Sequence, residues 1–327
     1  MDTIKVGIIG CGWFGNFHLD NLLKINGVEI TALASSNIIK LKKTGEKVPK
    51  ARLYSDYKEM YEKEKLNAVF ICVPPDSHGD AEILAAQKGI HMYVEKPIEL
   101  SVQKAKIIEA EVIKAGVISC VGYQERYNEE LKKIKNYLSD KKVGLVTARW
   151  LGTIPGSSWW RRKERSGGQI VEQSTHLFDI LRYFFGEAES VFCVGRKGLV
   201  ENIPDYNIED YSIAIISFES GILATVETAC YLDEIKCFNG IGFRIVCEDE
   251  VIEYDWNKEF RYITKDSIQK VSCTGSSHLK AVKEFINSIR TGDSQGIKST
   301  YSDAVKTLEL TLASNESMDS MKSVPIN

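Results

Sequence analysis

Three glycines in six positions, Gly10-x-Gly12-x-x-Gly15, follow directly on the β-branched run Lys5–Ile9, and this leaves the chain few folds to choose from. Alone, such a triplet is a weak signal, since many loops are glycine-rich. Here it ends a predicted strand and opens a predicted helix through Phe17, Leu19, Leu22 and Leu23 that stops near Gly27. In a strand–turn–helix unit each glycine has a mechanical reason. Gly10 permits the tight turn, Gly12 lets backbone approach a pyrophosphate, and Gly15 lets helix pack on strand. The helix N-terminus then offers N–H groups and a partial positive charge to the phosphates. Trp13 and Phe14, inside the same turn, join the three glycines as expected dinucleotide contacts.

The rhythm continues for the first third of the chain. Val28–Ala34, Asn67–Val73, His91–Val94 and Val117–Val121 read as strands. Helices over Gly79–Lys88 and from Ser101 to about Ala115 separate three of them. Near-continuous Val/Ile strands spaced by helices predict a parallel, doubly wound α/β sheet buried on both faces. After about residue 122 the pattern changes. A charged helix (Glu129–Leu138), a strand (Leu145–Leu151) and a helix (Gln169–Phe185) precede five strands: Val191–Arg196, Ser212–Phe218, Leu223–Ala229, Phe243–Cys247 and Phe260–Thr264. Helices over Leu279–Arg290 and Ser302–Met318 close the chain. Successive strands without intervening helices predict an α+β domain with a large, open, mostly antiparallel sheet. The expected division is a dinucleotide-binding Rossmann domain over 1–122 and an α+β domain over 123–327, and the length of 327 residues suits about two domains.

Charge and cysteine usage narrow the class. Forty-two Lys plus Arg against 45 Asp plus Glu leave a formal net charge of −3, which calls for neither nucleic acid nor a membrane surface. No apolar run approaches a transmembrane length, and the first residues lead straight into a strand, leaving no room for a signal peptide. Eight scattered cysteines, 237 among them, with no Cys-x-x-Cys pair, read as buried thiols of a reduced compartment, so the expected location is the cytoplasm. With five dispersed histidines no metal site is expected.

Three sets of residues point to chemistry. The second strand ends in Ser35-Ser36-Asn37, where an NAD site usually places a carboxylate on the ribose, and Lys40 follows closely. Without that acid a 2′-phosphate is not repelled, so NADP(H) is the expected cofactor; the alternative is that the serines only cap a helix and NAD(H) binds. Glu95-Lys96-Pro97 ends a predicted parallel strand, where open α/β sheets bind ligands, and a lysine there stabilises a developing oxyanion. Glu172 and His176 stand four apart in a predicted helix, so the carboxylate faces the imidazole and raises its basicity. A hydroxyl proton lost during hydride transfer needs such a base. A buried, merely satisfied Glu/His pair is the alternative. The aromatic and cationic run Trp159–Arg165 reads as a loop in which Trp160 and Arg162 hold a polyol or anionic sugar, or else as a solvated loop; on a slightly acidic chain it is poor support for nucleic-acid binding.

Taken together, these segments resemble the Gfo/Idh/MocA oxidoreductases nearly end to end. Val6–Gly12 resembles the family's first strand and glycine turn, with His18 following it, and Cys72-Val73-Pro74-Pro75-Asp76-Ser77-His78 its loop over the nicotinamide. Glu95-Lys96-Pro97 is similar to its diagnostic tripeptide, Gly122–Tyr127 to its interdomain segment, and Gly167-Gly168 with His176-Leu177-Phe178-Asp179 to its second-domain helix. The resemblance implies cofactor contacts at Val73, Pro74, Pro75, His78, Glu95 and Lys96. It implies substrate contacts at Lys96, Arg126, Glu172 and His176, assigns substrate binding and oligomerisation to the domain over 123–327, and implies a homodimer or homotetramer built on the exposed sheet face. The implied activity is hydride transfer between NAD(P)(H) and a secondary alcohol or ketone of a sugar, cyclitol or related polyol, with Lys96, His176 and Glu172 catalytic. A reductase of a non-sugar carbonyl or imine, or a non-catalytic dinucleotide-sensing regulator on the same fold, is the alternative. Position 172 departs from the family in carrying Glu where Asp is common.

Overall fold

A computed structural model describes residues 3–233 and 239–326; Met1, Asp2 and Cys237 lie outside the described residues. The chain divides into two compact units, Met1–Tyr127 with Ser276–Val305, and Asn128–Gly275 with Lys306–Asn327. A single boundary near 122 does not describe the return of 276–305 to the first unit.

The first unit holds six strands, β1 (Ile4–Ile9), β2 (Val28–Ala34), β3 (Arg52–Tyr54), β4 (Ala68–Ile71), β5 (His91–Val94) and β6 (Ser119–Val121). They pair in the order β3-β2-β1-β4-β5-β6, every neighbour parallel. Helices α1 (Trp13–Leu22), α2 (Ile38–Gly45), α3 (Tyr57–Lys63), α4 (Asp80–Gln87) and α5 (Val102–Ala115) connect them. Val6, Ile8 and all of β4 are buried, as expected of strands covered on both faces. The chain winds outward through β2 and β3, then crosses back to lay β4 on the other side of β1. Loops leaving β1 and β4 therefore diverge and open a crevice at their carboxyl ends. The helix Ser277–Thr291 belongs to this unit: its Phe285 sits edge-on to Phe70 and Tyr93, with ring centroids 5.7 and 5.8 Å away. Short β3, α2 and α3 are absent from the sequence expectation because three to eight residues are too few to display a clear repeat.

The second unit contains α6 (Glu129–Leu138), α7 (Lys163–Ser166), α8 (Gln169–Glu172) and α9 (Thr175–Phe185). Its strands are β7 (Val143–Leu151), β8 (Ala188–Arg196), β9 (Tyr211–Phe218), β10 (Leu223–Ala229), β11 (Ile241–Cys247), β12 (Glu250–Asp255), β13 (Glu259–Thr264), β14 (Ile268–Ser272) and β15 (Val324–Pro325). They form one nine-stranded sheet in the order β14-β13-β12-β11-β7-β10-β9-β8-β15. Only β7 and β10 run parallel. Ala214, Ile216 and Phe218 of β9 point to a core shared with Leu131 and Ile134 of α6 and Phe178, Ile180 and Leu181 of α9. On the opposite face Ile213, Ile215, Leu223 and Leu145 are exposed. Strands β12 and β14 go beyond the sequence expectation; β14 is exposed at the sheet edge and lacks apolar alternation.

The single helix expected over Gln169–Phe185 is two helices. Gln173 N and Ser174 N both donate to the Gln169 carbonyl, at 3.0 and 2.9 Å, so the turn takes in one residue more than a helix allows. Glu172 closes α8 and His176 is the second residue of α9, so the pair spans a helix break rather than one continuous helix. All seven described cysteines are free thiols, and no described helix is long and apolar enough to cross a membrane.

Candidate active site

In the first unit the glycine turn sits at the fork between β1 and β4. Gly10 holds φ 94°, and its N–H donates to the Ala34 carbonyl at 2.8 Å. A Cβ on Gly10 would stand 2.2 Å from the Cys72 carbonyl oxygen, and one on Gly15 would stand 1.8 Å from the Gly10 oxygen. Both contacts require glycine. Around Gly12 there is open space instead, and a Cβ there would meet nothing within 4 Å. Gly12 is the N-cap of α1, no side chain caps that helix, and its first turn holds no acid. Burial pushes the Cys11 and Cys72 thiols up, so neither presents an anion here. An uncapped helix N-terminus beside open space fits a pyrophosphate.

A cleft continues from this turn between Gly12, Trp13 and Asn16 on one side and Lys40, Lys43 and Lys47 on the other. Asn16 Nδ2 fastens the turn, donating to the Gly12 carbonyl and to Thr44 Oγ1, both at 3.0 Å. Trp13 is exposed and stacks on Phe17, while Phe14 packs edge-on to Trp13. At the end of β2, Ser35 Oγ accepts from Asn37 N and Asn37 Oδ1 caps α2 through Lys40 N at 3.0 Å. Ser36 and Lys40 are exposed beside them.

Lys96 follows β5, is buried to 8% exposure, and joins Pro97 through a cis peptide bond. Val73, Pro74 and Pro75 leave the end of β4 on the same side of the sheet. Two of the expected cofactor contacts are turned inward. Glu95 Oε1 pairs with His18 Nε2 at 2.6 Å, both buried, and Oε2 accepts from Lys96 N at 3.3 Å. His78 pairs through Nδ1 with Glu82, whose other oxygen accepts from Gly79 N at 2.8 Å. Arg126, expected at the substrate, donates to the Lys298 carbonyl at 2.9 Å and pairs with Asp303 at 2.6 Å, tying the segment 276–305 to the unit.

In the second unit His176 packs against two indoles that also meet edge-on at 5.3 Å, stacked on Trp150 at 5.8 Å and tilted against Trp256 at 6.0 Å. Glu172 and His176 are both buried. Asp179, one turn on, accepts from Thr307 Oγ1 at 3.1 Å, which in turn accepts from Arg182 at 2.6 Å, so this acid anchors α9. Trp150 and Trp256 escaped the sequence expectation because no motif marks them. Strand pairing unites them: Trp150 stands opposite Ile241, whose carbonyl accepts from Trp256 N. Glu209 was missed for the same reason; it is buried beneath α8. Trp160 is half-buried and stacks on Trp159, while Arg162 faces Glu164 and Asp205 at 3.6 and 3.9 Å on the surface.

Residues 4–123 match the family described as "Oxidoreductase family, NAD-binding Rossmann fold", and residues 133–253 match the "GFO/IDH/MocA C-terminal domain". The chain belongs to the Gfo/Idh/MocA oxidoreductase family. It is 25% identical to a myo-inositol 2-dehydrogenase of Thermotoga maritima over 99% of this chain and 98% of that one. It is 26% identical to the scyllo-inositol 2-dehydrogenase (NAD(+)) of Bacillus subtilis over 69% and 67%. A levoglucosan dehydrogenase solved with NADH and levoglucosan shares the fold, with TM-score 0.87, 18% identity, and 99% and 100% coverage.

His278 opens the helix Ser277–Thr291 against Phe17, with ring centroids 4.9 Å apart, and burial pulls its pKa down to about 4. A neutral, half-buried imidazole whose unfolded value is 6.5 adds stability fully above that pH and loses it as pH falls toward 4, because the unfolded chain takes up the proton first. Thermal unfolding at pH 7 and pH 5 tests this. His278→Gln is expected to show a smaller fall in Tm between the two than the wild type; an unchanged or larger fall removes His278 from the acid sensitivity.

Proposed function

We propose that this protein is an NADP(H)-preferring dehydrogenase that interconverts a secondary alcohol and a ketone on a cyclitol, sugar or related polyol. The dinucleotide, when bound, accepts or returns the hydride. The presence in one chain of an uncapped, glycine-walled helix N-terminus and of a buried Glu and His supports this best, together with relatives named for inositol oxidation. Gly10, Gly12, Trp13, Phe14 and Gly15 would hold the pyrophosphate end, and Val73, Pro74 and Pro75 the nicotinamide side. His176 takes the hydroxyl proton in oxidation and returns it in reduction. Glu172 orients that imidazole and stabilises its cation. Lys96 donates to the reacting oxygen and stabilises charge developing on it. Trp150 and Trp256 exclude water around His176, which strengthens each of these electrostatic contacts.

General acid–base assistance is worth about 10²–10⁴-fold in rate. His176→Ala and Lys96→Ala are therefore expected to lose about that much kcat in steady-state assays across a panel of inositols, aldoses and sugar ketones. Dinucleotide affinity in His176→Ala should stay near wild type. Wild-type turnover in either variant removes that residue from the chemistry, and no turnover by the wild type on any member of the panel with either cofactor favours a dinucleotide-sensing role.

Cofactor preference follows from charge. No carboxylate stands at Ser35, Ser36 or Asn37, and the neighbouring cleft is lined by Lys40, Lys43 and Lys47 against the single acid Glu46. A 2′-phosphate is thus met by hydroxyls, an amide and cations. Fluorescence titration is expected to give tighter NADPH than NADH binding, and Ser35→Asp to invert the order. Tighter NADH binding by the wild type overturns the preference.

The apolar outer face of the nine-stranded sheet, with Ile213, Ile215, Leu223 and Leu145 exposed, supports assembly into a homodimer or homotetramer through that face. Analytical ultracentrifugation should show a dimer or larger, and Ile213→Lys with Ile215→Lys should shift it toward monomer. A wild-type monomer at micromolar concentration rules this out.

A further inference from the structure

The break between α8 and α9 has an anchor that lies 33 residues beyond His176 in the chain. Glu209, with its side chain buried, accepts from Gln169 N at 2.7 Å and from Ile170 N at 3.2 Å through the same oxygen. Its other oxygen lies against Gly168, where a Cβ would stand 2.5 Å away; Gly168 also holds φ 88°. Only glycine lets this carboxylate come so close. Gln169 is the residue on which the break turns, since its carbonyl takes Gln173 N, Ser174 N and, at 3.4 Å, Ser174 Oγ. Glu209 therefore grips one side of the Gln169 peptide frame, and the extra-residue turn that separates Glu172 from His176 hangs on the other.

Glu209 is itself held rigidly. Its carbonyl accepts from Tyr206 Oη at 3.4 Å and the Cys230 thiol at 3.6 Å. The adjoining Asp210 binds Leu199 N at 2.6 Å, Val200 N at 3.0 Å and Tyr206 Oη at 2.7 Å. Gly167, preceding the clamp, is tied by Asn315 Nδ2 to its carbonyl at 2.7 Å. A buried carboxylate is a costly device for starting a helix of four residues. Its place makes sense where the orientation of that helix has to be set closely.

We propose that Glu209 is a positioning residue for proton exchange: by fixing the Gln169 and Ile170 amides it sets the relative placement of Glu172 and His176. This rests on the roles given to that pair above. Misplacing a catalytic group by about 1 Å costs on the order of 100-fold in rate. Aspartate, one methylene shorter, cannot keep both amides against the same oxygen, whereas glutamine retains an acceptor of the right reach.

The test uses the full-length Glu209→Asp, Glu209→Gln, Glu209→Ala and His176→Ala proteins with the fastest polyol of the panel, myo-inositol being the first assayed. Glu209→Asp and Glu209→Ala are expected to lose about 10- to 100-fold in kcat, with KM for the dinucleotide within about threefold of wild type. The pH limb of kcat that disappears in His176→Ala should be displaced in both. Glu209→Gln should restore kcat to within about fivefold of wild type. Hydrogen exchange, which needs no substrate, should show faster loss of protection over 168–176 in Glu209→Asp than in Glu209→Gln. Wild-type kcat and pH profile in Glu209→Asp overturn the proposal while leaving His176 in place if His176→Ala is still impaired. Wild-type turnover in His176→Ala fails the underlying assignment instead. Loss of folding or dinucleotide binding in Glu209→Gln overturns it too, since the role is then structural. If Glu209→Ala alone does not fold, the aspartate and glutamine proteins decide.

Discussion

The Gly10 carbonyl oxygen lies where a side chain on Gly15 would have to be, and much of the first unit follows from that contact. It lets α1 lie close along β1, which leaves the helix N-terminus facing the fork where β4 turns away. The same turn presses Gly10 on the Cys72 carbonyl at the end of β4. Backbone meets backbone on both sides, so the only open direction is outward from Gly12. The open space at the uncapped α1 N-terminus is then a consequence of packing rather than of any one side chain.

Charges inside the protein are distributed by a different rule. Burying an ion costs several kcal/mol unless partners compensate it, and breaking a buried pair costs about 3–5 kcal/mol. Accordingly His18 meets Glu95, His78 meets Glu82 and Arg126 meets Asp303, while Glu209 meets two backbone amides. Exposed pairs such as Glu59 with Lys63 contribute about 0–1 kcal/mol and organise little. The buried set therefore holds the frame: Glu95 steadies the peptide that leads into Lys96, and Glu209 steadies the helix that ends in Glu172. Glu95 and His78, both expected to touch the cofactor, are buried in pairs with His18 and Glu82.

Legibility varied with the range of the interactions involved. The glycine turn, β1, β2, β4, β5 and α5 were readable because local periodicity and turn chemistry specify them. The position of Lys96 just after β5 was readable because a strand end and its tripeptide mark it. The continuous helix drawn through Gln169–Phe185 was not correct. Apolar periodicity runs on through the break, and nothing local says that Gln169 will accept three donors or that residue 209 will hold its amide. The indoles around His176 were invisible for the same reason: only the pairing of β7 with β11 places Trp150 beside the turn that carries Trp256.

The order of residues alone was enough to determine a parallel, doubly wound unit with a glycine-walled phosphate seat, followed by a mostly antiparallel sheet. Those features arise from contacts between near neighbours and from apolar patterning, which a linear chain displays. Only the tertiary structure decided which carboxylates face inward, that 276–305 packs with the first unit, and how Glu172 stands to His176. Each depends on groups brought together from far along the chain, where desolvation and hydrogen-bond geometry, not local preference, select the partner.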